Sequence, residues 1–394
     1  MTIQLIATTA FGLESVVKDE VKDLGYTIDQ VENGRVYFSG GLDAIARSNL
    51  WLRCADRVLL VMGTFRATTF DALFEATKAL PWERWIPEDG IFPAAKITSV
   101  KSTLFSKSDG QRIVKKAVVE RLKMAYGVEW FPETRGHYPI HIQILKDEVV
   151  LSIDTSGSGL NKRGYREYGN DAPLKETIAA ALVKLSRWRP DRYFLDPLCG
   201  SGTIVIEAAM IGKNMAPGLK RTFVSEEWDA IPKDLWADAR TQAKEAINDK
   251  SFRLLGSDID SRALKQARTN ADLAGVGDLV AFQRLPVKEI ATKRRYGVIV
   301  TNPPYGERMG DKKEVEALYR EMGRAFMALE DWSYFIICGY EGFEKCFGKK
   351  ATKNRKLYNS TLKTYFYQYF GPLPPRKRFS PGAAGKDPEV ESEE

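Results

Sequence analysis

The spacing of apolar residues changes several times along this chain, and each change marks an element. Ile3, Leu5, Ile6 and Ala7 open as a strand, whereas Leu13, Val16, Val17, Val21 and Leu24 recur at helical spacing and predict a helix over 12–24. Strand-forming residues at 26–28 and 36–38 flank Glu32-Asn33-Gly34, a hairpin signal. A second helix over 42–51 and a strand over 57–62 complete a βαββαβ order. That order predicts a ferredoxin-like unit over residues 1–65, with no catalytic group in view.

The next stretch, 66–156, alternates in the same way. Helices are expected over 70–80 and 108–126, a strand over 94–101, and a hairpin pairing 140–145 with 149–153 across Lys146-Asp147-Glu148. Ile113, Ala117, Val118 and Leu122 predict the buried stripe of the long helix. Residues 157–176 hold Gly157, Gly159 and Gly164 among Lys162, Arg163 and Arg166, a flexible basic connection beside any nucleic-acid site. From a helix at 175–185 onward, strands alternate with helices through 177–372, with an insert over 212–250 that carries Trp228 and Trp236. This alternation predicts a doubly wound sheet. Aromatic residues in the late strands read as core. Residues 373–394 turn Pro-rich and basic, then acidic, and read as a disordered tail. The fold class is α/β, an α+β module followed by a Rossmann-like sheet.

Composition narrows the function. With 44% hydrophobic and 28% charged residues over 394 positions, the chain suits several well-buried domains. No apolar run approaches the roughly 20 residues of a membrane span, and the first residues lack a basic, apolar leader, so a cytoplasmic protein without membrane contact is expected. Four cysteines (Cys54, Cys199, Cys338, Cys346) show no Cys-x-x-Cys pair. The two histidines, His137 and His141, fall in a strand pattern. Neither a metal site nor a disulfide framework is expected. The net charge of +7 favours a polyanionic partner. Lys101, Lys107, Arg112, Lys115 and Lys116 gather on one strand and the helix after it, beside Ser102, Thr103 and Ser106. Phosphate contact is the sharper reading of that cluster and a solvated helix face the blander one.

The chemistry-bearing stretches lie in the second half. Val298-Ile299-Val300-Thr301 reads as a buried strand, stopped by Asn302-Pro303-Pro304-Tyr305 ahead of Gly306, Glu307 and Arg308. The prolines donate nothing, which leaves carbonyls to accept; Asn302 adds a side-chain acceptor and Tyr305 a flat face. Such a group can hold a planar amine by its two hydrogens, and an ordinary Pro-Pro strand end is the alternative. Upstream, a strand ends at Asp196 and runs through Cys199-Gly200-Ser201-Gly202-Thr203 into an Ala-rich helix. The turn matches neither a dinucleotide fingerprint nor a phosphate loop. Its acid suits a zwitterionic ligand. A second strand ends at Asp258 and Asp260, where a carboxylate can take ribose hydroxyls.

Asp-Pro-x-Cys-Gly-Ser-Gly-Thr, Gly-x-Asp-x-Asp and Asn-Pro-Pro-Tyr, in that order, resemble the S-adenosylmethionine-dependent amino-methyltransferases. The closest likeness is to the RNA branch that carries a THUMP domain, the large-subunit rRNA guanine-N2 methyltransferases, with relatives labelled N6-adenine-specific DNA methylases. The stretch 159–166 and Ala172-Pro173-Leu174-Lys175-Glu176 belong to the same likeness, which covers nearly the whole chain. It implies S-adenosylmethionine as cofactor, no metal, and a THUMP RNA-binding domain over 66–156. It further implies that 23S rRNA or an assembling large subunit is the partner. Asp196, Cys199, Gly200, Ser201, Gly202, Thr203, Asp258 and Asp260 are the expected cofactor residues, and Asn302, Pro303, Pro304 and Tyr305 the expected catalytic ones. Lys101, Lys107, Arg112, Lys115, Lys116, Lys162 and Arg163 are expected to meet RNA. Gln283-Arg284-Leu285-Pro286 departs from the acid that many relatives place at the cofactor adenine. Methylation of adenine N6, a tRNA target and an idle RNA-binding assembly factor remain alternatives.

Overall fold

Two seven-stranded sheets carry the chain in the computed structural model, which describes residues 1–166, 174–305, 312–359 and 362–375. The first begins with β1 (Ile3–Thr8), α1 (Glu14–Asp23), β2 (Thr27–Glu32), β3 (Arg35–Gly40), α2 (Asp43–Trp51) and β4 (Arg57–Arg66). It continues through α3 (Phe70–Lys78), β5 (Gly90–Ile91), β6 (Ala94–Val100), α4 (Lys107–Tyr126), β7 (Arg135–His137), β8 (Ile140–Leu145) and β9 (Glu148–Asp154). Strand order is β2-β3-β1-β4-β9-β8-β6, with β5 and β7 forming a separate small pair.

The two units read from the sequence thus share one sheet. The reason lies in β4, whose strand pattern runs four residues beyond Met62 to Arg66. That length gives β9 an antiparallel partner from Leu59–Asp154 to Arg66–Glu148. Alternation decides which side is covered. Leu5, Ala7, Val36, Phe38, Val58 and Leu60 are buried in the core against the helices. Thr8, Arg35 and Arg57 alternate with them and point to the other face. On α4 the buried side is Val114, Ala117, Val118 and Leu122, while Ile113 is only half-buried, a small rotation from the predicted stripe.

The second sheet follows α5 (Glu176–Leu185). It comprises β10 (Phe194–Asp196), α6 (Thr203–Gly212), α7 (Lys233–Glu245), β11 (Leu254–Asp258), α8 (Ser261–Ala274), β12 (Val280–Arg284) and β13 (Val298–Thr301). Then come α9 (Lys312–Met327), β14 (Ser333–Cys338), α10 (Phe343–Phe347), β15 (Lys353–Asn359) and β16 (Leu362–Tyr369). The order β12-β11-β10-β13-β14-β16-β15 is parallel up to β14, and β16 runs antiparallel to both neighbours. Between β11 and β13 the chain departs from β10 in both directions, a switch point that opens a crevice at the strands' carboxyl ends. β15 was not legible in the sequence. Its Lys-Asn-Arg-Lys start is an edge strand whose charges discourage further pairing. The expected disordered tail lies, from residue 376, outside the described residues.

The two sheets are joined by a common core and by buried charge. One hydrophobic cluster includes Leu5 and Phe38 of the first sheet and Ile206, Leu254 and Phe335 around the second. The insert earns its tryptophans here, for Trp228 stacks on Tyr138 at 5.0 Å and donates its indole N–H to the His137 carbonyl. Arg163, expected on the RNA surface, is instead 3% exposed. Its Nε donates to Glu207 of α6 at 3.3 Å, and its other nitrogens reach the carbonyls of Leu160 and Arg53. Tyr165 donates to the same Glu207 oxygen at 3.1 Å. A guanidinium so enclosed cannot reach a phosphate; its role is to close the joint. Lys184 of α5 pairs with Glu20 of α1 at 3.2 Å, and the other Glu20 oxygen takes the N–H groups of Arg53 and Cys54.

Removing one partner of such a pair strands a buried charge, at a cost of about 3–5 kcal/mol. Arg163→Met should therefore lower Tm by roughly 4–6 °C, at about 1.2 °C per kcal/mol for a chain of 394 residues unfolding as one unit. Arg163→Met with Glu207→Met should recover much of the loss. Thermal scans in which the single variant matches the wild type would show the pair to be without structural weight.

Candidate active site

Asp196 closes β10 and Thr301 closes β13, on neighbouring parallel strands. The Thr301 hydroxyl donates to Asp196 Oδ1 at 2.7 Å, so the two motifs meet directly. Asp196 is 1% exposed, and burial pushes its carboxyl up from 3.8 to about 7, against the Thr301 and Leu198 hydrogen bonds that pull it down. The folded value lies above the unfolded one. Ionising this acid therefore costs stability as pH rises through that window, and a bound cation relieves the cost.

A recess of about 150 Å³ opens beside it, lined by Asp196, Cys199, Gly200, Ser201, Thr203 and Asn302 among others. Gly200 has φ +50°, and a Cβ placed there would meet nothing within 4 Å, so the backbone borders open space. Gly202 differs. At φ +84° its Cβ would press on Ala267 at 3.1 Å, which makes it a packing glycine where α6 crosses α8. Ser201 is tied down through its carbonyl, which accepts from Asn270 at 3.0 Å. Thr203 takes a hydrogen bond from Arg166, itself paired with Glu176 at 3.2 Å. The Cys199 thiol is buried, and burial followed by Asp196 and Asp258 holds its pKa far above the ordinary value, unfit for a nucleophile.

Asp258 ends β11 and shapes the turn, with Oδ2 accepting the Gly200 N–H at 2.9 Å and Oδ1 that of Asp260 at 3.0 Å. A carboxylate has about four acceptor sites, so capacity remains for a ligand's hydroxyls. Asp260 is otherwise engaged, capping α8 by accepting from Arg262 N–H at 2.8 Å. Between the two acids Ile259 is 59% exposed, an apolar side chain offered to solvent at the crevice that the sequence pattern did not single out.

At the end of β13, Tyr305 turns its hydroxyl back on Asn302 and donates to Oδ1 at 2.5 Å. One lone pair of that oxygen is thereby used and the other remains. The carbonyls are not all free, as the sequence suggested. Tyr319 of α9 donates to the Pro304 carbonyl at 2.6 Å, the Cys338 thiol donates to Tyr319 at 3.3 Å, and the Tyr340 N–H donates to Cys338 Sγ at 3.4 Å. This relay from β14 through α9 fixes the loop. Among the described residues, no protein donor takes the Pro303 carbonyl. Tyr319 and Cys338 carried no motif, and only the buried face of α9 could have drawn attention to them. The Tyr305 ring packs against Gly339, whose added Cβ would meet it at 3.2 Å. Gly306, Glu307, Arg308, Ala172 and Pro173 lie outside the described residues.

The basic residues divide. Lys101, Lys107, Lys116 and Lys162 are exposed, and Arg112 is exposed while paired with Asp109. Lys115 is committed to the fold, at 2.8 Å from Glu133, 3.1 Å from the Phe92 carbonyl and 3.4 Å over the Phe92 ring. Among the described residues no cluster of His, Cys, Asp and Glu could hold a metal, and no helix is long and apolar enough to cross a membrane.

Three family models match the chain: an RlmL ferredoxin-like domain over residues 4–59, a THUMP domain over 67–154, and an RMKL-like methyltransferase domain over 163–368. A Bacillus subtilis (strain 168) protein named "Putative RNA methyltransferase YpsC" is 52% identical over 377 residues, spanning 95% of this chain and 97% of that one. A solved structure described as a "predicted N6-adenine-specific DNA methylase" from Listeria monocytogenes str. 4b F2365 is 55% identical, with TM-score 0.90 over 94% of this chain and 97% of that one. The structure of SMU.472 complexed with SAH is 45% identical, with TM-score 0.89 over 95% and 99%. The chain belongs to the family of RMKL-like methyltransferases that carry an RlmL-type ferredoxin-like domain and a THUMP domain.

Proposed function

We propose that this protein is an S-adenosylmethionine-dependent RNA methyltransferase that methylates the exocyclic N2 of a guanine in 23S rRNA. The observation that carries the reading is that Asn302 lines the same recess as the Gly200 turn, with Asp196 and Thr301 bonded between them. An amine-holding group and a ligand-holding turn then serve one small volume. A relative of 45% identity was solved with SAH. RNA as the substrate rests on the THUMP domain and on a relative named for RNA, and the rRNA guanine on the motif likeness.

The recess fits the cofactor on its own chemistry. The buried Asp196 carboxyl wants a cation, Gly200 leaves room where a Cβ would intrude, and Asp258 keeps acceptor sites for two hydroxyls. Ile259 supplies an apolar surface for the adenine. When bound, S-adenosylmethionine supplies an electrophilic methyl carbon on a sulfonium that departs as a neutral thioether. The chain's part is alignment. The second lone pair of Asn302 Oδ1 and the Pro303 carbonyl each accept one amine hydrogen, which turns the nitrogen lone pair toward the methyl. The Tyr305 hydroxyl sets the Asn302 amide, and Tyr319 takes up the Pro304 carbonyl so that it does not compete. Lys101, Lys107, Lys116 and Lys162 supply phosphate contacts on the RNA.

Methyl transfer to adenine N6 is the second reading, favoured by the name of the Listeria relative. Labelled methyl transfer to ribosomal RNA followed by nucleoside digestion separates the two. N2-methylguanosine is expected, and N6-methyladenosine would replace the guanine assignment.

Asn302→Ala should lower turnover by about 10²–10³, the range for one oriented electrostatic group, with cofactor affinity nearly unchanged. Single-turnover rates equal to wild type would remove Asn302 from the chemistry. Cofactor affinity should also track Asp196. Its ionised form binds the ammonium, and with its carboxyl at about 7 affinity should be level above that pH. Below it, affinity should fall by up to about tenfold per unit. Asp196→Asn should bind weakly at every pH and flatten the profile; a wild-type profile flat from pH 8 to 6 by calorimetry would show the acid to be idle.

A further inference from the structure

The face of the first sheet opposite its helices buries a small apolar patch of Ile6, Tyr37, Leu59 and Val150 and also holds a cavity of about 400 Å³. Strand registers place its lining side by side. Arg35 faces Thr8 and Thr8 faces Arg57, while on the far side Lys96 faces His141 and Thr98 faces Gln143. From β3 to β6 this lining spans five strand spacings, roughly 24 Å at about 4.8 Å each. Four cations (Arg35, Arg57, Lys96 and Lys175) border it against one carboxylate, Asp56.

Their engagements differ. Arg57 is held by Asp154 and the Gly157 carbonyl, and Asp56 by the Thr177 hydroxyl. Arg35 has Glu32 only at 3.7 Å. Among the described residues, Lys96 and Lys175 have no ion-pair partner. The floor is polar and under-satisfied. Gln143 Oε1 is buried with no hydrogen-bond partner among the described residues. His141 is 6% exposed, and its nearest acid, Asp154, lies at 3.7 Å and is already held by Arg57. Burial, then Arg57 and Lys96, push this histidine down to about 4, so at neutral pH it offers one donor and one acceptor. Charge at the rim over an unsatisfied amide and a neutral imidazole suits a phosphate attached to a base with donor groups. The cavity also abuts the active site along the chain, since Leu174 lines the recess beside Asn302 and Lys175 lines this one.

We propose that this cavity is a subsite for one unpaired nucleotide of the RNA strand, next to the nucleotide being methylated. Its phosphate lies on Lys96, Lys175 and Arg35, and its base edge donates to Gln143 Oε1. The subsite rests on the RNA reading above. It adds to the phosphate contacts of the α4 lysines a contact on the sheet face opposite the helices.

The test uses the full-length protein and a fluorescein-labelled single-stranded oligoribonucleotide of mixed sequence, with anisotropy titrations over a range of salt. Calorimetry with S-adenosylmethionine checks that each variant is folded. Lys96→Gln with Lys175→Gln should weaken RNA binding by about tenfold or more at moderate salt. It should reduce the log–log salt slope by up to about 0.7, the value for one single-strand phosphate. Gln143→Leu should weaken binding about five- to thirtyfold with the slope unchanged, the signature of a lost uncharged hydrogen bond. Lys107→Gln with Lys116→Gln should lower the slope through their own phosphate contacts, and combined with Lys96→Gln and Lys175→Gln the losses should add. Wild-type affinity and slope in the Lys96/Lys175 and Gln143 variants would overturn the subsite. A wild-type protein that binds S-adenosylmethionine but no RNA would instead overturn the RNA reading, and the subsite with it.

Discussion

Everything at the candidate site hangs on one buried hydrogen bond, from Thr301 to Asp196. It ties the last residue of β10 to the last residue of β13, in a sheet whose strand order turns about β10. On the β10 side the chain enters the Gly200 turn, and on the β13 side it enters Asn302. A shift of either strand end would separate the surface that can hold a ligand's cationic end from the acceptors that can hold an amine. The bond also carries a cost. Asp196 sits where water cannot solvate its charge, and the fold tolerates that acid because a neighbouring hydroxyl and a backbone N–H face it. Such local discomfort is common where a binding group must be ready before its ligand arrives.

Around that bond, support arrives from elements distant in sequence. Asp258 holds the Gly200 N–H from β11, and Asn270 holds the Ser201 carbonyl from α8. Tyr319 and Cys338 brace Pro304 from α9 and β14. The turn and the loop are thus each fixed by side chains of regular elements, which keeps their geometry tighter than their own glycines and prolines would.

Much of this was legible in the sequence. The alternation of periods located the main strands of both sheets and the helices α1 to α6, because burying one face imposes that pattern on residues such as Leu13–Val17–Val21 and Val298–Val300. It did not give α7, α9, α10 or the short β5 and β7. The motif residues Asp196, Gly200 and Asn302 do meet at one recess. What stayed hidden depends on contacts between distant segments. The extension of β4 that fuses two units into one sheet looks in sequence like an ordinary strand end. β15 was obscured by its charges. Arg163 has the composition of a phosphate-binding residue, and only the presence of Glu207 on a helix forty-odd residues away turns it inward. Basic residues read alike whether they meet RNA or a carboxylate; burial tells them apart.

The joint between the two sheets has a consequence for how an RNA would be chosen. With a common apolar core and enclosed ion pairs across it, the two halves cannot swing independently, as domains linked by a loose tether do. The distance from the proposed RNA subsite to the candidate active site would therefore be a constant of the molecule. With that subsite in place the protein would behave as a caliper: a reactive amine at the wrong spacing along the strand would be refused however well its base fitted. Selection by span needs few contacts to the bases themselves, and it leaves the acceptors beside Tyr305 free to be generic.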